Sequence, residues 1–291
     1  GLNPLDPVAH APRMPKARDD VMRAWMPTVG SLGLDMMHLT CTVQVNIDFS
    51  SEDEAMDMVR LGYLATPALI AAFANSPWRH GHDTGYASYR AHIWSDVDNA
   101  RCDPGPMVYD RSCSIADYVD WVLDVPMYFV VHQREGKSCY LPTQEKKTFR
   151  QFLERGDRGR RATIDDWELH LSTVFPDVRL KRFIEIRAVD CVSPPLMAAL
   201  PALVIGLMYD KEAREEALAL LKDGDMGIDR QALRAVACQQ GLEGVSDGLH
   251  LGEIAGALID IARAGQQRWQ RRHGEDPAAT VALDTLEATV S

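Results

Sequence analysis

The clearest pattern of apolar and polar positions is a strict alternation from Thr40 to Phe49. Cys41, Val43, Val45, Ile47 and Phe49 alternate there with Thr40, Thr42, Gln44, Asn46 and Asp48, which predicts a half-buried strand with one apolar and one polar face. A second alternation, VRLKRFIEIR from Val178 to Arg187, is predicted as one further strand. It puts Val178, Leu180, Ile184 and Ile186 with Arg182 on one side, and Arg179, Lys181, Phe183, Glu185 and Arg187 on the other. Between the two, Ser51 and Glu54 have the spacing of a capping box and open a helix through Met58, Leu61, Leu64 and Leu69, ending near Asn75.

Weaker signals fill in the rest. Helices are predicted from Lys16 to Trp25, from Ile115 to Leu123 behind a Ser114 cap, over residues 145 to 154, and from Thr163 to Thr173. A strand from Pro126 to Val131 pairs with Cys139 to Leu141 through a turn at Gln133 to Lys137. After Ser193 the spacing is helical, over Leu196 to Met208, Lys211 to Lys222, Arg230 to Gln239, His250 to Arg272 and a short tail. Residues 1 to 13 are Pro-rich and aperiodic, the mark of a tether, and Pro77 to Pro106 is a long polar passage of the kind that carries function. The sum is an α+β fold, an antiparallel sheet with packed helices and a helical C-terminal half.

Composition narrows the function. With 291 residues, 46% hydrophobic and 25% charged, the chain suits one large or two small globular domains. A net charge of -11 gives no general attraction to phosphodiester backbones or anionic lipid, so neither nucleic acid nor a membrane is an expected partner. Six cysteines without a CxxC motif fit a reducing compartment, and the expectation is a cytoplasmic protein with buried structural thiols, Cys41 among them. Neither GxGxxG nor a Walker loop is present.

The second strand carries the candidate chemistry. Arg179, Lys181 and Arg187 crowd around Glu185, and such a set repels itself unless an anion joins it. Arginine forks match carboxylate or phosphate oxygens, so a solvated face and an anion site are both open readings. Glu185 with Gln44 could hold magnesium, with Asn46 as a further neutral neighbour, and Arg90 from the long polar passage could close over a substrate carboxylate. His80, His82, Asp83 and His92 form a competing, zinc-like set.

Several long runs, in order, point to a family: MPKARDDVMRAWMPTVGSLGLDMM (14 to 37), TCTVQVNIDFSSE (40 to 52), FANSP (73 to 77), SYRAHIWSDVDN (88 to 99), YVDWVLDVPMYFV (118 to 130), TFRQFL (148 to 153), FPDVRLKRFIEIRAVD (175 to 190) and ALPALVIGLMYD (199 to 210). Together they closely resemble glutamate-cysteine ligases of the plant and proteobacterial type, over about residues 14 to 222. The resemblance implies an enzyme that uses ATP and Mg2+ to activate L-glutamate as γ-glutamyl phosphate, which the amino group of L-cysteine attacks. It implies a sheet funnel similar to the glutamine synthetase catalytic domain, with residues 14 to 222 a portion of that domain and 223 to 291 a C-terminal helical region. By motif, Glu185 and Gln44 resemble metal ligands, and Glu185 and Arg187 the catalytic pair. Arg187 also resembles the group that contacts glutamate, Arg90 the arginine that holds an amino-acid substrate carboxylate and Tyr128 a residue near the cysteine pocket; the strand pattern adds Asn46 on the substrate side and Arg179 and Lys181 for the nucleotide phosphates. An upstream segment with acidic ligands is expected to precede this chain. Plant members carry a disulfide switch; here Cys139 stands near one such position without its partner, so no equivalent switch is expected. The alternatives are a carboxylate-amine ligase with another amine, and a non-catalytic binding subunit or fragment.

Overall fold

A computed structural model describes residues 1–134, 137–143, 146–222, 225, 227–274 and 277–290. Its centre is a three-stranded antiparallel sheet of β1 (Val45–Ile47), β2 (Val178–Leu180) and β3 (Ile184–Ile186), with β3 in the middle. The single strand expected over Val178 to Arg187 is therefore a hairpin. Its turn closes through Lys181 N–H donating to the Phe183 carbonyl at 2.8 Å, with Arg182 exposed at the tip. A three-residue turn keeps Arg179 opposite Glu185, so the alternation reads the same for one strand as for two.

The Thr40 to Phe49 alternation holds, with Ile47 buried and Thr42, Gln44, Asn46 and Asp48 exposed. Regular pairing covers only Val45–Ile47, and isolated bridges join Leu2 to Thr40 and Thr42 to Asp190. Cys41 departs from the pattern and is exposed, not buried, because it lies outside the regular ladder, where its N–H is taken by the Gly1 carbonyl.

The apolar face of the sheet rests on α1 (Glu52–Ala72). Ser51 caps it by accepting from Glu54 N–H, but the Glu54 carboxylate reaches back to the Ser50 N–H at 2.8 Å rather than to Ser51. Gly62 lets the helix approach, since a Cβ there would lie 3.0 Å from Val178 and 3.1 Å from Ile186. Tyr63 fixes the pair by donating its hydroxyl to the Val178 carbonyl at 2.8 Å. α2 (Arg230–Gln240) packs on the same helix. Pro194–Met208 and Leu251–His273 pack so closely that a Cβ on Gly265 would run into the Gly206 carbonyl. One hydrophobic cluster runs from Ile47 to Leu286 and takes in both sides of the expected boundary at residue 222.

Other expectations shift in detail. The helices behind Ser114, Thr148 and Thr163 all start on capping boxes. The outer hairpin pairs Phe129–Arg134 with Lys137–Pro142. Part of its expected turn, Glu135 and Gly136, lies outside the described residues, as does Glu145 of the helix expected over 145 to 154, which runs Phe149–Arg155. Residues 1 to 13 are not a free tether at their start. Asn3 N–H donates to the Leu39 carbonyl and Gly81 N–H to the Pro4 carbonyl, both at 2.8 Å, and such main-chain bonds leave no side-chain signature. The passage from Pro77 to Pro106 contains helices Tyr89–Ile93 and Asn99–Cys102.

Candidate functional site

Antiparallel partners share a face, and the sheet register turns this into a row of polar side chains. Asn46 stands opposite Glu185, and Glu185 opposite Arg179. Two residues before Asn46, Gln44 donates its side-chain amide to Asn46 Oδ1 at 3.1 Å. Arg187 continues the row two residues beyond Glu185, and Lys181 at the turn puts Nζ 3.6 Å from Glu185 Oε1. Residues drawn from two separate alternations thus meet on one face.

That face is buried at its centre rather than solvated: Glu185 is 4% exposed and Arg179 9%. Arg179 Nε donates to Glu185 Oε2, and its Nη1 donates to the Val174 carbonyl at 2.9 Å. Burial pushes the Glu185 carboxyl up, but the hydrogen bond from Arg179 and the charges of Arg179, Lys181 and Arg187 outweigh it, leaving the group below the usual carboxylate range. Burial first, and Arg179 second, lower the Lys181 ammonium and bring Arg187 down to about 10. Three cations against one carboxylate leave positive charge that an anion would relieve.

At the far end of the row, Arg187 and Arg90 flank Trp94, with guanidinium carbons 5.8 Å and 6.0 Å from its ring. Arg187 receives its main-chain position from its N–H donating to the Asp177 carbonyl at 2.9 Å. Arg90 sits in the helix Tyr89–Ile93 and is 3% exposed. Its Nη1 and Nη2 donate to the carbonyls of Ala188 and Arg187 at 2.9 Å and 3.1 Å. The arginine expected to close over a substrate thus has its terminal nitrogens committed to the main chain that carries Arg187. Three buried donors around this indole have no hydrogen-bond partner: Arg90 Nε, Trp94 Nε1 and Arg187 Nε. Buried orphan donors are uncommon and call for an acceptor.

Tyr128 is not on this face. It lies in a second cluster with Met22, Met26 and Phe129, under the Arg101 guanidinium at 3.7 Å, and burial raises its hydroxyl well above the ordinary range. A cavity of about 450 Å³ abuts the Arg187 end through Trp94 and Phe175, and Tyr63, Tyr109, Asp177 and Arg234 also line it. Arg234 Nε donates to Asp177 Oδ2 at 2.8 Å and Nη2 to the Ala91 carbonyl at 3.3 Å, so α2 ties both arginine-bearing segments together. Burial raises the Asp177 carboxyl, yet Arg234, Arg90 and Arg187 bring it below the usual range. Sequence reasoning missed Asp177, Trp94 and Arg234. The first two sit inside matched runs, but Arg234 is one more basic residue on an amphipathic helix.

A metal ion does not fit the residues present. Both Glu185 oxygens face a cation, Asn46 Oδ1 is taken by Gln44, and no group of three or more His, Cys, Asp or Glu able to hold a metal exists among the described residues. The zinc-like reading is corrected on the same ground: His80 and His82 are exposed on a two-residue hairpin, while the His92 ring stacks on Tyr86 at 4.3 Å.

The chain matches the family model described as "Glutamate-cysteine ligase family 2(GCS2)" over residues 1–287. It belongs to this glutamate-cysteine ligase family. It is 40% identical to "Glutamate--cysteine ligase B, chloroplastic" of Oryza sativa subsp. japonica over 271 residues, 92% of this chain and 53% of the relative. It is 41% identical to "Glutamate--cysteine ligase, chloroplastic" of Nicotiana tabacum over 272 residues, 92% of this chain and 51% of the relative. Against the Arabidopsis thaliana protein of that name the figures are 42% over 261 residues, 88% and 49%. The chain spans about half the length of these curated relatives. Their names overturn the cytoplasmic expectation, which rested on cysteine spacing; unpaired thiols speak to redox state and not to which compartment supplies it.

Proposed function

We propose that this chain carries the anion-holding part of a glutamate-cysteine ligase, in which ATP activates L-glutamate as γ-glutamyl phosphate and the amino group of L-cysteine displaces the phosphate. The observation that supports it most directly is the row Asn46, Glu185, Arg179, with Lys181 and Arg187 alongside, a face buried at its centre with more cations than carboxylates in a chain of this family. Phosphoryl transfer asks little of a protein beyond positioning and charge stabilisation, and such a face offers both.

In this reading Arg187 neutralises charge on the transferring group and meets the glutamate, while Arg179 and Lys181 face the nucleotide phosphates. Glu185 keeps these cations apart and oriented. Asn46 offers an amide at the open end of the row, and Arg90 holds the Arg187 main chain while its Nε, with those of Trp94 and Arg187, is left for a substrate oxygen. Tyr128, locked under Arg101, takes no part. The three-stranded sheet forms one wall of a larger funnel like that of the glutamine synthetase catalytic domain. Magnesium, whose chemistry in such a ligase is to polarise phosphate oxygens, needs carboxylates beyond those on this face.

The test is formation of ADP and γ-glutamylcysteine from ATP, magnesium, glutamate and cysteine, run on this chain and on a full-length family protein containing it. Both products in the full-length protein, dependent on cysteine, are the expected result. ADP formed equally well with other amines would replace cysteine as the substrate, and no product in either form would leave a binding subunit.

A further inference from the structure

Cys41 and Cys191 are far apart in sequence and adjacent in the fold. Thr42 and Asp190 form an antiparallel bridge, which places Cys41 and Cys191 opposite one another one step along it. Cys191 N–H donates to the Cys41 carbonyl at 3.1 Å, one main-chain bond between the two, while the Cys41 N–H goes to the Gly1 carbonyl and the Gly1 amine to the Cys191 carbonyl. Residues opposite one another in an antiparallel pair have Cα atoms about 4.5–5.5 Å apart, inside the roughly 4.4–6.8 Å that a disulfide spans. Cys41 is exposed and Cys191 half-buried, both as free thiols.

We propose that Cys41 and Cys191 form a dithiol site that reacts with low-molecular-weight disulfides and closes to an intramolecular disulfide. The exposed Cys41 thiolate attacks one sulfur of the small disulfide, breaking its S–S bond and releasing one thiolate, which takes up a proton. Cys191, having given up its proton, then attacks the Cys41 sulfur of the mixed disulfide and expels the second small thiolate, which is protonated in turn. Two protein thiols are oxidised to one disulfide, one small disulfide is reduced to two thiols, and the protons lost by the cysteines end on those thiols. Cys139, on the outer hairpin, has no part in this. The new bond would join the segment leading into β1, and so to Gln44 and Asn46, to the segment just beyond Arg187.

Incubating the folded chain with bis(2-hydroxyethyl) disulfide and mapping its peptides by mass spectrometry under non-reducing conditions tests this independently of any ligase activity. The expected result is a Cys41–Cys191 cross-linked peptide, with both residues lost from the six free thiols. In Cys191→Ser the reaction should stop at a mixed disulfide on Cys41, and a melting curve matching the parent shows that this variant is folded. A stable mixed disulfide on Cys41 of the parent, or unreacted Cys41 and Cys191, would overturn the proposal.

Discussion

A buried arginine persists only where its charge is answered, and Asp190 answers Arg90. Asp190 is 1% exposed, accepts from Asn75 N–H at 2.8 Å, Ser76 Oγ at 2.7 Å and Ser88 Oγ at 3.0 Å, and lies 3.9 Å from Arg90 Nη1. Asp190→Ala should therefore cost about 3–5 kcal/mol in denaturant unfolding, the range for removing one partner of a buried pair. His170 is buried in a similar way but stays neutral. Burial lowers its imidazole to about 4 against the hydrogen bond between Nε2 and the Val122 carbonyl, which raises it, and Arg101 lowers it further. Between pH 6.5 and 4 the unfolded chain binds a proton that the folded chain refuses, so stability is full above that window and falls as pH drops through it, by about 3 kcal/mol in total. His170→Gln should flatten this part of the curve of unfolding free energy against pH; an unchanged slope would exclude His170 as its source. For catalysis, Arg187→Ala in a full-length family protein should lower kcat by about 10²–10³, as loss of one donor to developing charge does, with little change in Tm. A shared collapse of kcat and Tm would make Arg187 structural instead.

At the scale of elements, caps and alternations were legible because they are local. Ser114 and Thr163 each accept from the N–H three residues on, as their spacing predicts, and Thr148 does the same for a helix expected without a cap. The Val178 to Arg187 segment shows where local reading stops: its period is two whether the chain runs straight or turns back, and only Phe183 accepting from Lys181 N–H decides for a hairpin. Helix contacts were less legible still. Gly206 and Gly265 read as ordinary glycines within apolar helical stretches, yet they allow two main chains to touch. Gly265→Ala should cost about 1–3 kcal/mol by thermal or denaturant unfolding despite removing a helical glycine, because the obstacle is a main-chain carbonyl that cannot rotate away. A stabilised variant would show that the helices can part.

For the whole molecule, net acidity and the lack of GxGxxG and Walker motifs gave expectations about partners without indicating a site, whereas the family followed from long ordered runs of residues. The chain by itself determined which residues are polar on alternate positions, where most helices begin, and that Arg179, Lys181, Glu185 and Arg187 crowd together, since these follow from periodicity and short-range bonding. Only the tertiary structure decided that Asn46, Glu185 and Arg179 form one row, buried at Glu185 and Arg179, that Arg90 supports Arg187 through its carbonyl, that Arg234 ties Asp177 to Ala91, and that Cys41 lies opposite Cys191. Each of those contacts joins residues distant in sequence or settles which groups lose water, and both are set by how the elements pack, which no local period encodes.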